Sequence, residues 1–258
     1  MNFVSELPKK VRSYDLASLP IYSLDYLGFH VPIIRKIIHA KHMTYTLFGR
    51  YHFVVRPYTY DRGVIDEIFI ERAYAPNQYF SVEENNVVVD IGAHIGCFTV
   101  FAASKSNRLY SYEPDPENFK LLKENLRLNN LEHKVRPFQL AVWGRRGRFP
   151  MVARDTGLGS LLFAGRKKTM VEAITLDDIL DSNNLKRIDF LKVDVEEAEW
   201  EIFSSSSAST LDSIRKIALE VHSSELKNRL TEFFKRFGFS VQTKEIGYQL
   251  SYLYARRK

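Results

Sequence analysis

The stretch Val87-Val88-Val89-Asp90-Ile91-Gly92-Ala93-His94-Ile95-Gly96-Cys97-Phe98-Thr99 decides the fold. Three β-branched residues in a row read as a strand buried on both faces. An acid follows, then Gly92 and Gly96, and Cys97-Phe98-Thr99-Val100-Phe101-Ala102-Ala103 opens an apolar helix. A strand, a glycine turn and a helix N-terminus in that order let a ligand approach the backbone where no Cβ intrudes. Leu109-Tyr110-Ser111-Tyr112-Glu113-Pro114 is a second strand ending in an acid. In the dinucleotide-binding folds an acid about 20 residues beyond the turn takes a ribose hydroxyl pair.

The spacing excludes two relatives of this turn. Gly92-x-x-x-Gly96 is not G-x-G-x-x-G, and no Gly-Lys-Ser/Thr follows to make a phosphate loop. Farther on, Ile188-Asp189-Phe190-Leu191-Lys192-Val193-Asp194-Val195-Glu196-Glu197-Ala198-Glu199 begins as an apolar strand and ends as an acidic strand-to-helix turn. Lys192, Asp194 and Glu196 alternate, so they share one face. Buried charges need partners, which favours a site over a solvated surface. Ile214-Arg215-Lys216-Ile217-Ala218-Leu219-Glu220-Val221-His222 is another buried strand with a polar end.

The rest of the chain fits round these strands. Val31–Met43 has helical spacing and a basic face, read as a helix packed on the domain rather than on a membrane surface. Tyr45–Pro57 reads as a hairpin turning at Gly49-Arg50. Val64–Ile70 is an amphipathic helix ending near Tyr74, either a lid over the ligand or a cap on the first edge of the core. Pro116–Asn129 is a helix whose apolar face is Phe119, Leu121, Leu122, Leu126 and Leu128, and Val135–Val142 is a third strand. Gly144–Arg148 is a basic turn, read as solvated. Residues 148–174 form two short strands around Thr156–Ser160, and Thr175 caps a short helix. Ser204–Ser209 is a loop, Glu225–Phe237 a helix stopped by Gly238, and Phe239–Lys244 with Gln249–Ala255 a closing hairpin. Strands and helices alternate from residue 87, which implies an α/β, doubly wound, mostly parallel sheet with ligands at the carboxyl ends of its strands. Residues 1–60 form an N-terminal extension, helical and then a hairpin, and residues 61–258 the main domain.

The 258 residues are 45% hydrophobic, enough for one full core. A net charge of +6 permits an anionic partner without requiring one. The single cysteine, Cys97, excludes an intrachain disulfide and any multi-cysteine metal site. No apolar run approaches the ~18–20 residues of a membrane span, and the N-terminus lacks a signal-peptide pattern. A soluble cytoplasmic protein is expected.

Asp90-x-Gly92-x-x-x-Gly96 with Glu113 downstream resembles the first two motifs of the class I S-adenosylmethionine methyltransferases. With Tyr112-Glu113-Pro114, Thr175-Leu176-Asp177-Asp178 and the 188–199 segment, in that order and spacing, the chain resembles the FkbM-type methyltransferase family over about residues 60–245. Gly157–Leu161 and Glu220-x-His222 fit it more weakly. Two positions depart: His94 stands where Asn is usual, and Glu197 where Gly is usual. The resemblance implies a seven-stranded class I sheet, completed by the antiparallel closing hairpin, and methylation of a hydroxyl oxygen on a small molecule, sugar or glycan.

It also implies roles. Asp90 and the Gly92–Gly96 backbone would meet the amino-acid end of S-adenosylmethionine, Glu113 the ribose, and Ala141 the adenine. Ala93, His94 and Pro114 complete the cofactor-binding set. Asp194 would lie beside the methyl, with Lys192 pairing Asp194 or Glu196. His222 is the candidate base, since histidine titrates near neutrality; the competing reading is a core histidine bonded to Glu220. No ligand spacing argues for a metal, and none is expected. A tRNA-guanosine-type RNA methyltransferase is the runner-up, because Glu124–Asn129 resembles its second-motif helix. No Asn/Asp-Pro-Pro-aromatic motif occurs, however, and nucleic acid is not expected. A cofactor-binding protein without turnover is the third reading. The acceptor and the oligomeric state are not written in the sequence.

Overall fold

The computed structural model describes residues 41–57, 59–153, 159–160, 168–196, 198–247 and 249–257. Residues 31–40 of the expected helix at 31–43, the Glu197 departure and most of the Thr156–Ser160 loop lie outside the described residues; the end of that expected helix is not helical, since Met43 already pairs as a strand with Val55. The chain begins with a hairpin of β1 (Met43–Leu47) and β2 (Tyr51–Val55), turned by Phe48 and Gly49, both at positive φ. Helix α1 (Asp61–Phe69) follows, and then β3 (Val87–Ile91), α2 (Cys97–Ala103), β4 (Arg108–Tyr112), α3 (Pro116–Leu128) and β5 (Val135–Phe138). After an inserted small sheet come α4 (Leu176–Ser182), β10 (Phe190–Val193), α5 (Glu199–Ser205), α6 (Ala208–Asp212) and β11 (Lys216–Val221). Helix α7 (Ser224–Arg236) and the strands β12 (Phe239–Glu245) and β13 (Ser251–Arg257) close the chain.

Among the described residues the main sheet has seven strands in the order β12-β13-β11-β10-β3-β4-β5. Only β13 runs antiparallel to its neighbours. From β3 the chain winds outward through β4 and β5, then returns to β10 on the other side of β3. That reversal opens a crevice at the carboxyl ends of β3 and β10, where ligands bind in folds of this kind.

Alternation along β3 divides the core. Val88 packs under α2 and α3, while Val87, Val89 and Ile91 pack on the opposite face with residues of α4, α5 and α7. Every residue of β3 is buried, as its apolar run predicts. The first face also takes α1, through Ile65, Ile68 and Phe69, and Phe69 packs against Phe53 and Phe101. The segment therefore caps the core. The hairpin is held to α3 by two asparagines. Asn125 accepts from Val54 N at 2.7 Å and donates to Ile95 O at 2.8 Å, and Asn129 accepts from His52 N at 2.9 Å. The asparagines of the helix that resembles an RNA-methyltransferase motif are used inside the fold.

Two elements differ from the sequence expectation. The third strand is split: β5 ends at Phe138, and β6 (Ala141–Val142) leaves for the small sheet, pairing with β9 (Lys168–Ile174). Strand β7 (Gly147–Ala153) pairs antiparallel with β9 and with β8 (Gly159–Ser160), so the insertion has its own partners. The serine-rich run is mostly helical. Ser205 and Ser206 donate to helix carbonyls of α5, and Ser207 caps α6 by accepting from Thr210 N. Serine can return a hydrogen bond to the preceding turn or cap the next helix, so its composition does not specify a loop. Thr175 caps α4 as expected, forming a capping box with Asp178, and Asp178 also receives Arg146 from the basic turn.

Candidate functional site

A cleft lies at the carboxyl end of the sheet, where β3 and β10 diverge. The glycine turn forms its floor. Gly92 N and Ala93 N both donate to Tyr112 O at 3.0 Å, tying the turn to the end of β4. Gly92 has φ +72°, and a Cβ there would stand 1.7 Å from the carbonyl oxygen of Asp194. Only glycine lets the ends of β3 and β10 come this close. Gly96 has φ +89° and begins α2.

Glu113, at the end of β4, is 5% exposed and lines the cleft. Its oxygens accept from His94 N at 2.8 Å, Asp115 N at 2.9 Å and the Asn118 side chain at 3.3 Å. Burial pushes this carboxyl up, against the His94 charge and the N–H donors. A carboxylate has about four acceptor sites, so three donors leave room for a further hydroxyl. Beside it Pro114, Leu140, Ala141, Val142 and Met151 make an apolar slot.

His94 has φ +53°, and its ring Nε2 lies 3.2 Å from Asp61 Oδ1. Arg56 closes on the same carboxyl, Nε to Oδ2 at 2.9 Å and Nη2 to Oδ1 at 2.7 Å. Burial raises the Asp61 pKa, but the bonds from His94 and Arg56 overcome it and leave it well below the usual range. The unusual residue of the glycine turn thus has its own partner, brought from the start of α1.

At the other end of the cleft the wall is acidic. Asp194 and Glu196 line it, and behind them is a buried cluster. Lys192 lies 3.3 Å from Asp90 Oδ1 and 3.5 Å from Asp194 Oδ2, and donates to Gly92 O at 2.6 Å. Burial works against that ammonium, yet Asp90 and Asp194 raise its pKa. Asp90 also accepts from Thr99 Oγ1 at 2.6 Å. Tyr74, from the segment after α1, donates to Asp194 Oδ2 at 3.0 Å and reaches Glu220 Oε2 at 3.2 Å. His222 Nε2 is 3.6 Å from both Glu196 Oε2 and Glu220 Oε1, and its Nδ1 is 3.8 Å from Glu199 Oε1. Tyr252 donates to Glu67 Oε1 at 2.8 Å. Burial and then the charge of Asp194 push Glu67 to about 7 and Glu220 to about 9.

Of the residues singled out from sequence, Gly92, His94, Glu113, Pro114, Ala141, Asp194 and Glu196 line the cleft. Asp90, Ala93, Gly96, Lys192 and His222 do not. Asp90 pairs in register with Lys192 on the next parallel strand, so both side chains take the covered face of the sheet. His222 stands behind the wall, joined to it through Glu196. Sequence reasoning passed over Asn118, Tyr74, Glu67 and the Arg56–Asp61 pair. Asn118 sits in the first turn of the helix after Glu113, a placement that could have found it. The others carry no local signal. Among the described residues no group of His, Cys, Asp or Glu has a metal-binding arrangement, and no helix is long and apolar enough to cross a membrane.

The family model described as the methyltransferase FkbM domain matches residues 90–241. Methyltransferase sdnD of Sordaria araneosa is 24% identical over 234 residues, covering 76% of this chain and 89% of that protein. The hexuronic acid methyltransferase AglP of Haloferax volcanii is 22% identical over 177 residues, covering 68% and 72%. The crystal structure of methyltransferase FkbM from Methylobacillus flagellatus KT superposes with a TM-score of 0.54 at 17% identity. It covers 74% of this chain, which spans about half (47%) of that one.

Proposed function

This chain belongs to the FkbM methyltransferase family, and we propose that it transfers a methyl group from S-adenosylmethionine to a hydroxyl oxygen of a small-molecule, sugar or glycan acceptor. The charge of the cleft carries this reading. Glu113, Asp115, Asp194 and Glu196 line it, and no lysine or arginine does among the described residues. A cationic sulfonium is favoured by such a wall, which low-dielectric surroundings strengthen. The residues fit the group in its other parts as well. Glu113 has acceptor capacity for a ribose hydroxyl, the slot around Ala141 would suit adenine, and the turn at Gly92–His94 would meet the amino-acid end. The relatives named methyltransferases support the same chemistry.

S-adenosylmethionine supplies an activated methyl for in-line displacement, so the protein's work is alignment and proton removal. In this reading Asp194 orients the reacting end, and Lys192 fixes Asp194 while held by Asp90. The attacking hydroxyl's proton would pass to His222 through Glu196, the cleft-lining carboxylate 3.6 Å from the ring, while Glu220 holds the ring from behind. The test begins with calorimetry using S-adenosylhomocysteine. Bonds to a charged group contribute about 1.5–3 kcal/mol, so Glu113→Gln should weaken binding by about 10–100-fold. Unaltered affinity would sink the ribose assignment. Labelled methyl transfer into cell extracts then reports the acceptor, and label found only in RNA or on amines would overturn the hydroxyl reading.

A further inference from the structure

Tyr74 belongs to none of the sequence motifs, yet its hydroxyl is the junction of the acidic cluster. It is 2% exposed. Its ring packs edge-on against Phe98 and Tyr252, centroids 5.8 and 5.5 Å away, and the Lys192 ammonium lies 5.2 Å from its centroid. Held in this way, the hydroxyl reaches Asp194 Oδ2 at 3.0 Å and Glu220 Oε2 at 3.2 Å. A phenol has one proton and donates to one carboxylate at a time. The second contact becomes a hydrogen bond when the other carboxyl is protonated and donates to the phenol oxygen. Two ionised carboxylates would leave one of them facing a lone pair.

The surroundings decide which acid keeps the proton. Asp194 has the Lys192 ammonium at 3.5 Å. Glu220 has His222 at 3.6 Å, with the acids Glu67, Asp194 and Glu196 around it. Burial, and next the charges of Asp194 and Glu67, push Glu220 up to about 9. Burial also holds the Tyr74 hydroxyl well above its ordinary value, so it stays a donor. The proton order is then Glu220 to Tyr74 and Tyr74 to Asp194.

We infer that Tyr74 is a positioning residue that couples the proton on Glu220 to the charge on Asp194 at the reacting end of the cleft. This rests on the reading above that a sulfonium binds beside Asp194. A cation there lowers the proton affinity of the bridged pair, which titrates as a unit. The other groups facing the pair are Glu67 from α1, Tyr252 from β13, Asp90 and Lys192 from β3 and β10, and Glu196, Glu199 and His222 around the wall. None of them joins both carboxyls through one hydroxyl.

Calorimetry on the full chain at about pH 8, a unit below the Glu220 value, tests this in two buffers of different ionisation enthalpy. The buffer difference counts protons released per ligand bound. S-adenosylmethionine carries the sulfonium charge and S-adenosylhomocysteine does not. The wild-type chain should release more protons with the first than with the second. In Tyr74→Phe that difference should fall to less than half, while affinity for S-adenosylhomocysteine stays within about twofold, the scatter of independent sites. Glu220→Gln removes the proton itself and should abolish the difference, which keeps the test open if Tyr74→Phe folds poorly. Equal proton counts for both ligands in the wild type, or an undiminished difference in the variants, would overturn the bridge. No binding of S-adenosylhomocysteine by the wild type would overturn the cofactor reading and this inference with it.

Discussion

Lys192→Met probes the charge cluster behind the cleft most directly. Lys192 is 3% exposed, and its ammonium serves Asp90, Asp194 and the Gly92 carbonyl at 3.3, 3.5 and 2.6 Å. Methionine keeps most of the side chain's length and apolar volume and removes the charge. Asp194 keeps Tyr74, but Asp90, fully buried, keeps only the Thr99 hydroxyl among the partners described. Removing one partner of a buried ion pair costs about 3–5 kcal/mol, because the other charge stays buried without compensation. A natural domain has about 5–15 kcal/mol in all, so the variant should lose a large part of its stability. Urea unfolding followed by circular dichroism measures this as a lower midpoint with an unchanged slope. Adding Asp90→Asn removes the orphaned charge. The double variant should then be more stable than the sum of the single losses predicts, by about 0.5–3 kcal/mol. A loss below about 1 kcal/mol, the range of exposed pairs, would refute the reasoning, and so would strict additivity.

Gly92→Ala should destabilise the chain and weaken S-adenosylhomocysteine binding. Its φ of +72° alone costs about 1–3 kcal/mol, and its Cβ would collide with the Asp194 carbonyl. Gly96→Ala should cost less, since its Cβ meets a terminal methyl of Leu122 rather than backbone; equal melting temperatures for the two variants would contradict this. Glu220 and Glu67 are pushed to about 9 and about 7 from 4.5. Both bind protons more tightly folded than unfolded, so their contribution is fully present below pH 4.5 and is lost as pH rises through 7 and then 9. Glu220→Gln should flatten the decline in urea midpoint between pH 7 and 9. A slope equal to the wild type's would remove Glu220 as its source.

Much of the candidate site was legible because parallel strands obey simple rules. The run Val87–Ile91, the glycine turn and Glu113 gave the strand, its end and the acid beside it. The family resemblance rested on these residues together with Thr175–Asp178 and the 188–199 segment. Alternation placed Lys192, Asp194 and Glu196 on one face; Lys192 does meet Asp194, while the strand ends at Val193 and Glu196 joins the cleft wall from the loop beyond it, at φ +54°. The split of residues 135–142 was not legible, because both halves have strand-forming residues and only the partner strands differ. The helices in the serine run were equally hidden, since serine suits a cap and a loop alike.

The sequence alone determined which residues of the central strands share a face, and that the chain turns on glycine at Gly92, where the backbone lies open to close approach. Period-two geometry and glycine's conformational freedom are local properties, so they can be read locally. Only the tertiary structure decided which face is covered. Register set Asp90 beside Lys192 and so turned Asp90 inward, to hold the lysine behind the cleft. Packing of α1 over that face brought Tyr74 and Glu67 to the acids, and Asp61 to His94. The bond from Tyr74 to Glu220 joins residues 146 positions apart, and that from Tyr252 to Glu67 residues 185 apart. Burial and neighbouring charge, which set the protonation of Glu67 and Glu220, exist only once those contacts form.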